Sequence, residues 1–382
     1  MAHTNKLTAL IALFLLLVTV GCGAKQAQPV EIRIGVIAPI SGSIPTVGES
    51  TVNAAQMVAD QINSQGGLEV GGKKYPITLI IQDGKDNQEA SVAAAMELIN
   101  RQNVVAIIGP QASRNAIPVS RVAENAHIPM ISPWSTNPET TKGKLYVFRA
   151  AFIDPFQGQV MARFAFEEFG ATKAAVLYDI ASAYNKGIAE IFKQAFEDAG
   201  GEVVAFESYT TGETDFTAQL QRIHESGAQV LFLPNYENEV PLQAQQARQI
   251  GLDIPLIGSD TWGTIAPEDR AILEGSFFST HYAADIAEEP ALSFIEQYRQ
   301  RYGQTPDDVA ALTYDAFGLL FQAIQNAASI DPEDIRAGLA AIESYNGVTG
   351  QMQFRGSGDP VKSAVILQVR NGEFVFYKFA TP

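Results

Sequence analysis

Val104-Val-Ala-Ile-Ile-Gly-Pro-Gln-Ala-Ser113 decides the fold. Its apolar run has no polar face, as expected for a strand buried on both sides in a parallel sheet padded by helices. Gly109-Pro110 then breaks the strand. Ser113 stands where an N-cap would open a helix over 114–125. The same unit recurs on either side. Upstream, 31–38 reads as a β-rich strand ending at Pro39. Val47 to Asn63 carries Val47, Ala54, Ala55, Val58 and Ile62 at helical spacing and stops at Gly66-Gly67. A strand at 76–82 and a helix at 87–101 fill the interval, and a further strand follows at 128–131.

The rhythm restarts downstream. Strands are expected at 173–178, 203–207, 229–233 and 255–257, with helices at 184–199, 216–225 and 240–250. Residues 290–342 read as helices, and 361–379 as a closing hairpin turning at Asn371-Gly372. Two successive strand–helix runs imply an α/β protein with two parallel sheets, each covered on both faces. Crossings between the two are expected near 148–155, 280–286 and 348–354.

The chain has 382 residues, ample for two domains, and its 46% hydrophobic content excludes a disordered chain. With 26 basic against 42 acidic residues it is a poor partner for nucleic acid. The single cysteine excludes disulfide frameworks and cysteine-rich metal sites. At the N-terminus Lys6 precedes an apolar stretch from Leu7 to Val20, shorter than the about 20 residues a spanning helix needs. This is the pattern of a secretory signal. Thr19-Val20-Gly21-Cys22 resembles a bacterial lipobox, with Thr19 departing from the usual aliphatic residue. Cys22 is therefore expected to be lipidated and to anchor an otherwise exported protein to a membrane. The alternative is a plain secretory signal. Cleavage would remove Lys6 and no acid, leaving the mature chain one charge more negative.

Catalytic and metal motifs are missing. His127, His224 and His281 lie far apart in sequence, without HExxH or carboxylates at ligand spacing, so no metal and no cofactor is expected. G-x-S-x-G, P-loop and G-x-G-x-x-G patterns are absent. A ligand would instead sit beyond the carboxyl ends of the strands, where helix starts offer unpaired N–H groups. Those ends carry Ser113; Trp134, Ser135 and Thr136; Tyr184; Tyr236; and Asp260 with Trp262. Each has a plainer alternative: Ser113 as a helix cap, Ser135 and Thr136 in a turn before Pro138, Asp260 as a loop cap, the tyrosines as covers on helix starts.

The chain resembles the branched-chain amino-acid-binding family of type I periplasmic binding proteins. The resemblance rests on Ile34-Gly-Val-Ile-Ala-Pro-Ile-Ser-Gly42, Ile107-Ile-Gly109, Ile128-Pro-Met-Ile-Ser-Pro133 and Gly251-Leu-Asp-Ile-Pro-Leu-Ile-Gly-Ser-Asp260. It continues through residues 298–316 and Gly347-Val-Thr-Gly350 with Phe354, and so spans 31–379. It implies two doubly wound lobes joined by a three-stranded hinge: 31–151 with 284–350, and 152–283 with 351–382. Ahead of them lie a signal peptide (1–21) and a tether (22–30).

The resemblance further implies that Ser113, Thr136 and the Trp134 backbone hold an amino-acid head group. Asp260 takes the place of the ammonium-binding acid, beside Tyr184 and Tyr236. Val47 falls where relatives place a bulky cleft residue, and Trp134 replaces a small one. Lys85 and Ala112 stand where some relatives have a cysteine pair. The expected function is a non-enzymatic, monomeric receptor that closes on an amino acid and delivers it to ABC permease subunits. A ligand sensor for an amide or an aromatic or branched carboxylate is the alternative.

Overall fold

The computed structural model describes residues 30–382; the expected signal segment and Cys22 lie outside the described residues. The elements run β1 (Ile32–Ala38), α1 (Pro45–Ser64), the hairpin β2 (Leu68–Val70) and β3 (Lys73–Tyr75), and β4 (Ile77–Asp83). Next come α2 (Gln88–Asn100), β5 (Ala106–Ile108), α3 (Ser113–Ala126), β6 (Met130–Ser132) and β7 (Val147–Arg149). After α4 (Asp154–Phe169) follow β8 (Lys173–Asp179), α5 (Ala183–Asp198), β9 (Glu202–Tyr209) and α6 (Thr217–Glu225). Then come β10 (Val230–Leu233), α7 (Val240–Gln249), β11 (Leu256–Gly258) and β12 (Phe277–Thr280). Helices α8 (Ala291–Tyr302), α9 (Asp308–Ala327) and α10 (Pro332–Ala340) lead to β13 (Ser344–Gly347), β14 (Gly350–Phe354) and β15 (Pro360–Val361). β16 (Ala364–Arg370) and β17 (Glu373–Ala380) close the chain.

One sheet has the order β4-β1-β5-β6-β7 and is parallel throughout. The other has the order β17-β16-β12-β11-β10-β8-β9. It is parallel from β12 to β9, while the hairpin β16–β17 adds antiparallel strands at one edge. β13, β14 and β15 form a small antiparallel sheet of their own. The strands are buried as their apolar runs require: Ala106, Ile107 and Ile108, and Val230 through Leu233, are all fully inaccessible.

Strand order locates the binding edge. In each sheet the connections reverse direction once, between β1 and β5 and between β8 and β10. At such a switch point the loops leaving two neighbouring strands part and open a crevice. Gly109 shapes the loop leaving β5. Its φ of +94° is left-handed, and a Cβ there would stand 2.3 Å from the Ile37 carbonyl oxygen of β1. Only glycine lets the loop turn so close to β1 and carry Gln111 and Ser113 across the strand ends.

Several elements lie outside the pattern read from the sequence, β2, β3, β7, β13 and β14 among them, and two more position the site. Helix α4 lies in the stretch between the two runs, and β12 is a strand where only a crossing was expected. Both matter for the site, because α4 starts at Asp154 and β12 ends beside His281. No described helix is long and apolar enough to cross a membrane.

Candidate functional site

The loops leaving the two sheets meet over a buried polar cluster. From the first sheet come Ser113 at the start of α3 and Trp134, Ser135 and Thr136 after β6. All four are at most 3% exposed. Ser113 is the first helical residue, and its hydroxyl does not cap the helix; Ala112 holds the cap position without a side-chain bond. The Ser113 hydroxyl instead lies 2.8 Å from that of Ser135, which in turn lies 2.8 Å from that of Thr140. The Thr136 hydroxyl is buried without a hydrogen-bond partner.

Arg149, fully buried at the end of β7, holds this loop in shape. Its guanidinium donates to the Ser135 carbonyl (2.7 Å), the Asn137 carbonyl (2.9 Å) and the Thr141 hydroxyl (2.8 Å), and its Nε lies 2.6 Å from Asp359. The polar outer side of the loop is thereby satisfied, which leaves the Thr136 side facing the cluster.

From the second sheet come Tyr184, Tyr236, Ser259 and Asp260. Asp260 is no loop cap. Its Oδ1 accepts hydrogen bonds from the Tyr184 hydroxyl (2.6 Å) and Gln157 Nε2 (3.0 Å), and its Oδ2 lies 3.4 Å from His281 Nε2. Burial raises the Tyr184 phenol well above its usual range, and the negative charges of Asp260 and Asp154 add to this. It therefore stays protonated and donates to Asp260 while accepting from Ser259 (2.7 Å). Aromatic rings join the two walls: Tyr236 lies 5.6 Å from Tyr184 and 6.1 Å from Trp134, ring centre to ring centre. On the outer side Arg114 lies over Tyr236 at 4.4 Å. Asn137 Nδ2 also donates to the Ala183 carbonyl (2.9 Å), so the first loop cluster directly touches the second.

Of the expected residues, Ser113, Ser135, Thr136, Trp134, Tyr184, Tyr236 and Asp260 lie together in this buried cluster. Val47 is fully buried in the apolar core that also contains Trp134, and its side chain takes no part in the polar network.

Sequence reasoning missed four partners. Asp154, in the first turn of α4, is fully buried and neither carboxylate oxygen has a hydrogen-bond partner. Burial pushes it up to about 7. The nearby Thr136 hydroxyl opposes this without reaching hydrogen-bond geometry, the Asp260 charge adds to it and Arg149 opposes it. Gln157 lies one turn further along α4. Asp308, at the start of α9, accepts from Trp134 Nε1 (3.1 Å) and the Thr280 hydroxyl (3.2 Å). His281 stacks on Phe152 at 3.8 Å and is pulled down to about 4 by burial, against the pull of Asp260. It is thus neutral near pH 7. The signals available were Asp154-Pro155 after an apolar stretch and Asp307-Asp308 before one, both ordinary helix starts.

Asp260, His281 and Asp308 each offer a donor atom within 4.8 Å of the others. Each carboxylate also already receives two hydrogen bonds from neutral donors. The cluster is built as an acceptor-rich wall more than as a closed metal cage.

A search of family models then identifies the chain: the model described as periplasmic binding protein matches residues 31–373. The chain belongs to that family. It is a binding protein and not an enzyme, with the type I fold of two α/β lobes. A leucine-binding protein of Thermotoga maritima is 32% identical, with a TM-score of 0.86 over 92% of this chain and 99% of that one. The branched-chain amino-acid transporter substrate-binding protein of Streptococcus pneumoniae, solved with isoleucine, is 30% identical, with a TM-score of 0.85 over 92% and 100%. Among curated proteins, the leucine-, isoleucine-, valine-, threonine- and alanine-binding protein of Pseudomonas aeruginosa is 28% identical over 373 residues, 96% of this chain and 95% of that one.

Proposed function

We propose that this periplasmic binding protein is the exported, Cys22-anchored receptor of an ABC importer and that its solute is an amino acid. The observation that carries the reading is the opposition of two walls. Ser113, Thr136 and the N–H groups at the start of α3 offer donors for a carboxylate, while Asp260 and Asp154 offer negative charge for an ammonium group. A zwitterion leaving water loses several kcal/mol per charge, as a rough guide, unless both ends are met. Charge-assisted hydrogen bonds meet both ends here, and neither wall alone does so. Closure of the lobes is therefore favoured by the ligand's contacts with both, and the closed form tells the permease that the site is loaded. The solved relatives named for leucine and branched-chain amino acids support the solute class. On this reading the lobes are 31–151 with 284–350, and 152–283 with 351–382.

Calorimetry with a panel of amino acids tests the reading directly, and no binding by any of them would end it. Removing one carboxylate-binding hydroxyl gives a directional check. Ser113→Ala should weaken amino acids by about tenfold, the worth of one hydrogen bond to a charged group. The corresponding amines, which lack the carboxylate, should change little; an equal loss for both would show that Ser113 only shapes the loop.

The same geometry sets a pH dependence. Asp154, with Asp260, Arg149 and Thr136 around it, titrates near 7 in the unliganded protein, above its unfolded value near 3.8. Its ionised form is the costly one, so its contribution to stability falls as pH rises from about 4 to about 7. An ammonium group needs that ionised form. Affinity for amino acids should therefore rise with pH up to about 7 and then level off, with proton release on binding below that point. Calorimetry in buffers of different ionisation enthalpy measures those protons. Affinity flat between pH 5 and 8 would remove Asp154 from the ammonium site.

A further inference from the structure

A cavity of about 560 Å³ opens beside the polar cluster and meets it at Asp308 and Thr280, which line both. Its walls carry Glu49, Asp285, Asp307, Asp308 and Glu373 against two cations, Arg270 and Arg299. Both cations are already engaged. Arg270 lies over the Phe374 ring at 3.9 Å and donates to the Ile265 carbonyl, and Arg299 donates to the Thr305 hydroxyl. The cavity is therefore acidic overall, and it is larger than a four-carbon aliphatic side chain needs.

Asp308 joins the cavity to the cluster. It is 2% exposed, its Oδ2 takes the Trp134 and Thr280 hydrogen bonds, and its Oδ1 has no partner. Gly263 packs against that oxygen: a Cβ there would stand 2.7 Å from it. Among the described residues no cation forms an ion pair with Asp308. Lys362, the nearest in effect, donates to Thr349 and is held mainly by Asp315. A buried carboxylate with an unpartnered oxygen at the edge of an acidic cavity is costly beside an aliphatic ligand, and is matched by a cation.

We infer that the solute carries a second cationic group, an amine or guanidine on an extended side chain, which docks against Asp308 beside Trp134 at the entrance to this cavity. This rests on the amino-acid reading above, because the head group fixes where the side chain points. The side-chain end of the site is then selective for basic over branched aliphatic amino acids, unlike the ligands for which the solved relatives are named.

The experiment is calorimetry of the purified, chelator-treated protein with leucine, lysine, arginine and putrescine, repeated on Asp308→Asn and Asp308→Leu. Lysine or arginine should bind at least about 30-fold more tightly than leucine, in keeping with a buried ion pair. Asp308→Leu should cost the basic ligands at least that factor more than it costs leucine, which reports the shared effect of losing the Trp134 and Thr280 acceptor. If Asp308→Leu fails to fold by circular dichroism, Asp308→Asn, which keeps acceptors for Trp134 and Thr280, should still lower the preference. Leucine binding as tightly as lysine and arginine in the wild type overturns the inference and leaves the amino-acid reading standing. Putrescine binding with no amino acid bound overturns that reading and keeps the distal cation. Zinc or magnesium binding alone, lost in Asp308→Asn, overturns the inference in favour of a metal site.

Discussion

Asp260→Asn should abolish measurable amino-acid binding, with a loss of about 100-fold or more. Removing one partner of a buried charge pair costs about 3–5 kcal/mol, because the other charge stays buried and uncompensated. The amide is nearly isosteric, so the fold should survive. What it cannot keep is the charge. Asp260 Oδ1 accepts from both Tyr184 and Gln157, and its Oδ2 faces His281. An amide can keep both bonds on its Oδ1 and turn its NH2 group to His281 Nε2 on a ring protonated at Nδ1, so the neighbours are retained while the ammonium loses its counter-charge. Binding should fail while the melting temperature moves by only a few degrees, the shift expected for about 1 kcal/mol in a chain of this size. Calorimetry and thermal melts on the same sample separate the two. Affinity within threefold of wild type would place the ammonium elsewhere, with Asp154 the first candidate.

Arg149→Met is expected to have the largest effect on stability, about 3–5 kcal/mol. The guanidinium is fully buried, and burial pulls its pKa down while Asp359 and Asp154 push it back up. Methionine fills much of the volume but leaves the Ser135 and Asn137 carbonyls, the Thr141 hydroxyl and the Asp359 carboxylate without their shared donor. Those groups hold the loop that presents Thr136, so binding should weaken along with folding. Chemical denaturation measures the stability loss. A variant with the wild-type denaturation midpoint would show that the loop is held by its turns alone.

The sheets were legible because their strands are uninterrupted apolar runs. Val104 to Ile108 and Val230 to Leu233 have no polar face to confuse, and Asn371-Gly372 marks its own turn. Helix α4 was hidden for the opposite reason. It begins at Asp154-Pro155 within a stretch read as a crossing, and its buried residues, Asp154, Gln157, Val160, Met161 and Phe164 among them, face more than one neighbour. No clean amphipathic stripe results. Seven of the residues expected at the cleft lie together because strand ends are a place a sequence can point to, and Val47 does not join them. Asp154, Asp308 and His281 were not expected there, because they arrive from two helix starts and the end of an unread strand. Their separation of more than a hundred residues across the set carries no local signal. Ser113 shows the reverse: its position before a helix invited a capping role, and the neighbouring Ser135 hydroxyl takes the bond instead.

The interleaving of the chain also fixes an order of assembly. The first sheet begins at Ile32, yet the helix that pads one of its faces, α9, ends only at Ala327, with Val309, Leu312 and Phe317 in the same core as Ile34 and Ile108. The strands β8 to β12 lie within one continuous stretch. The second sheet in turn waits for β16 and β17 at its edge, so as the polypeptide emerges from the ribosome the first sheet is padded when α9 is made and the second is closed only by the last residues.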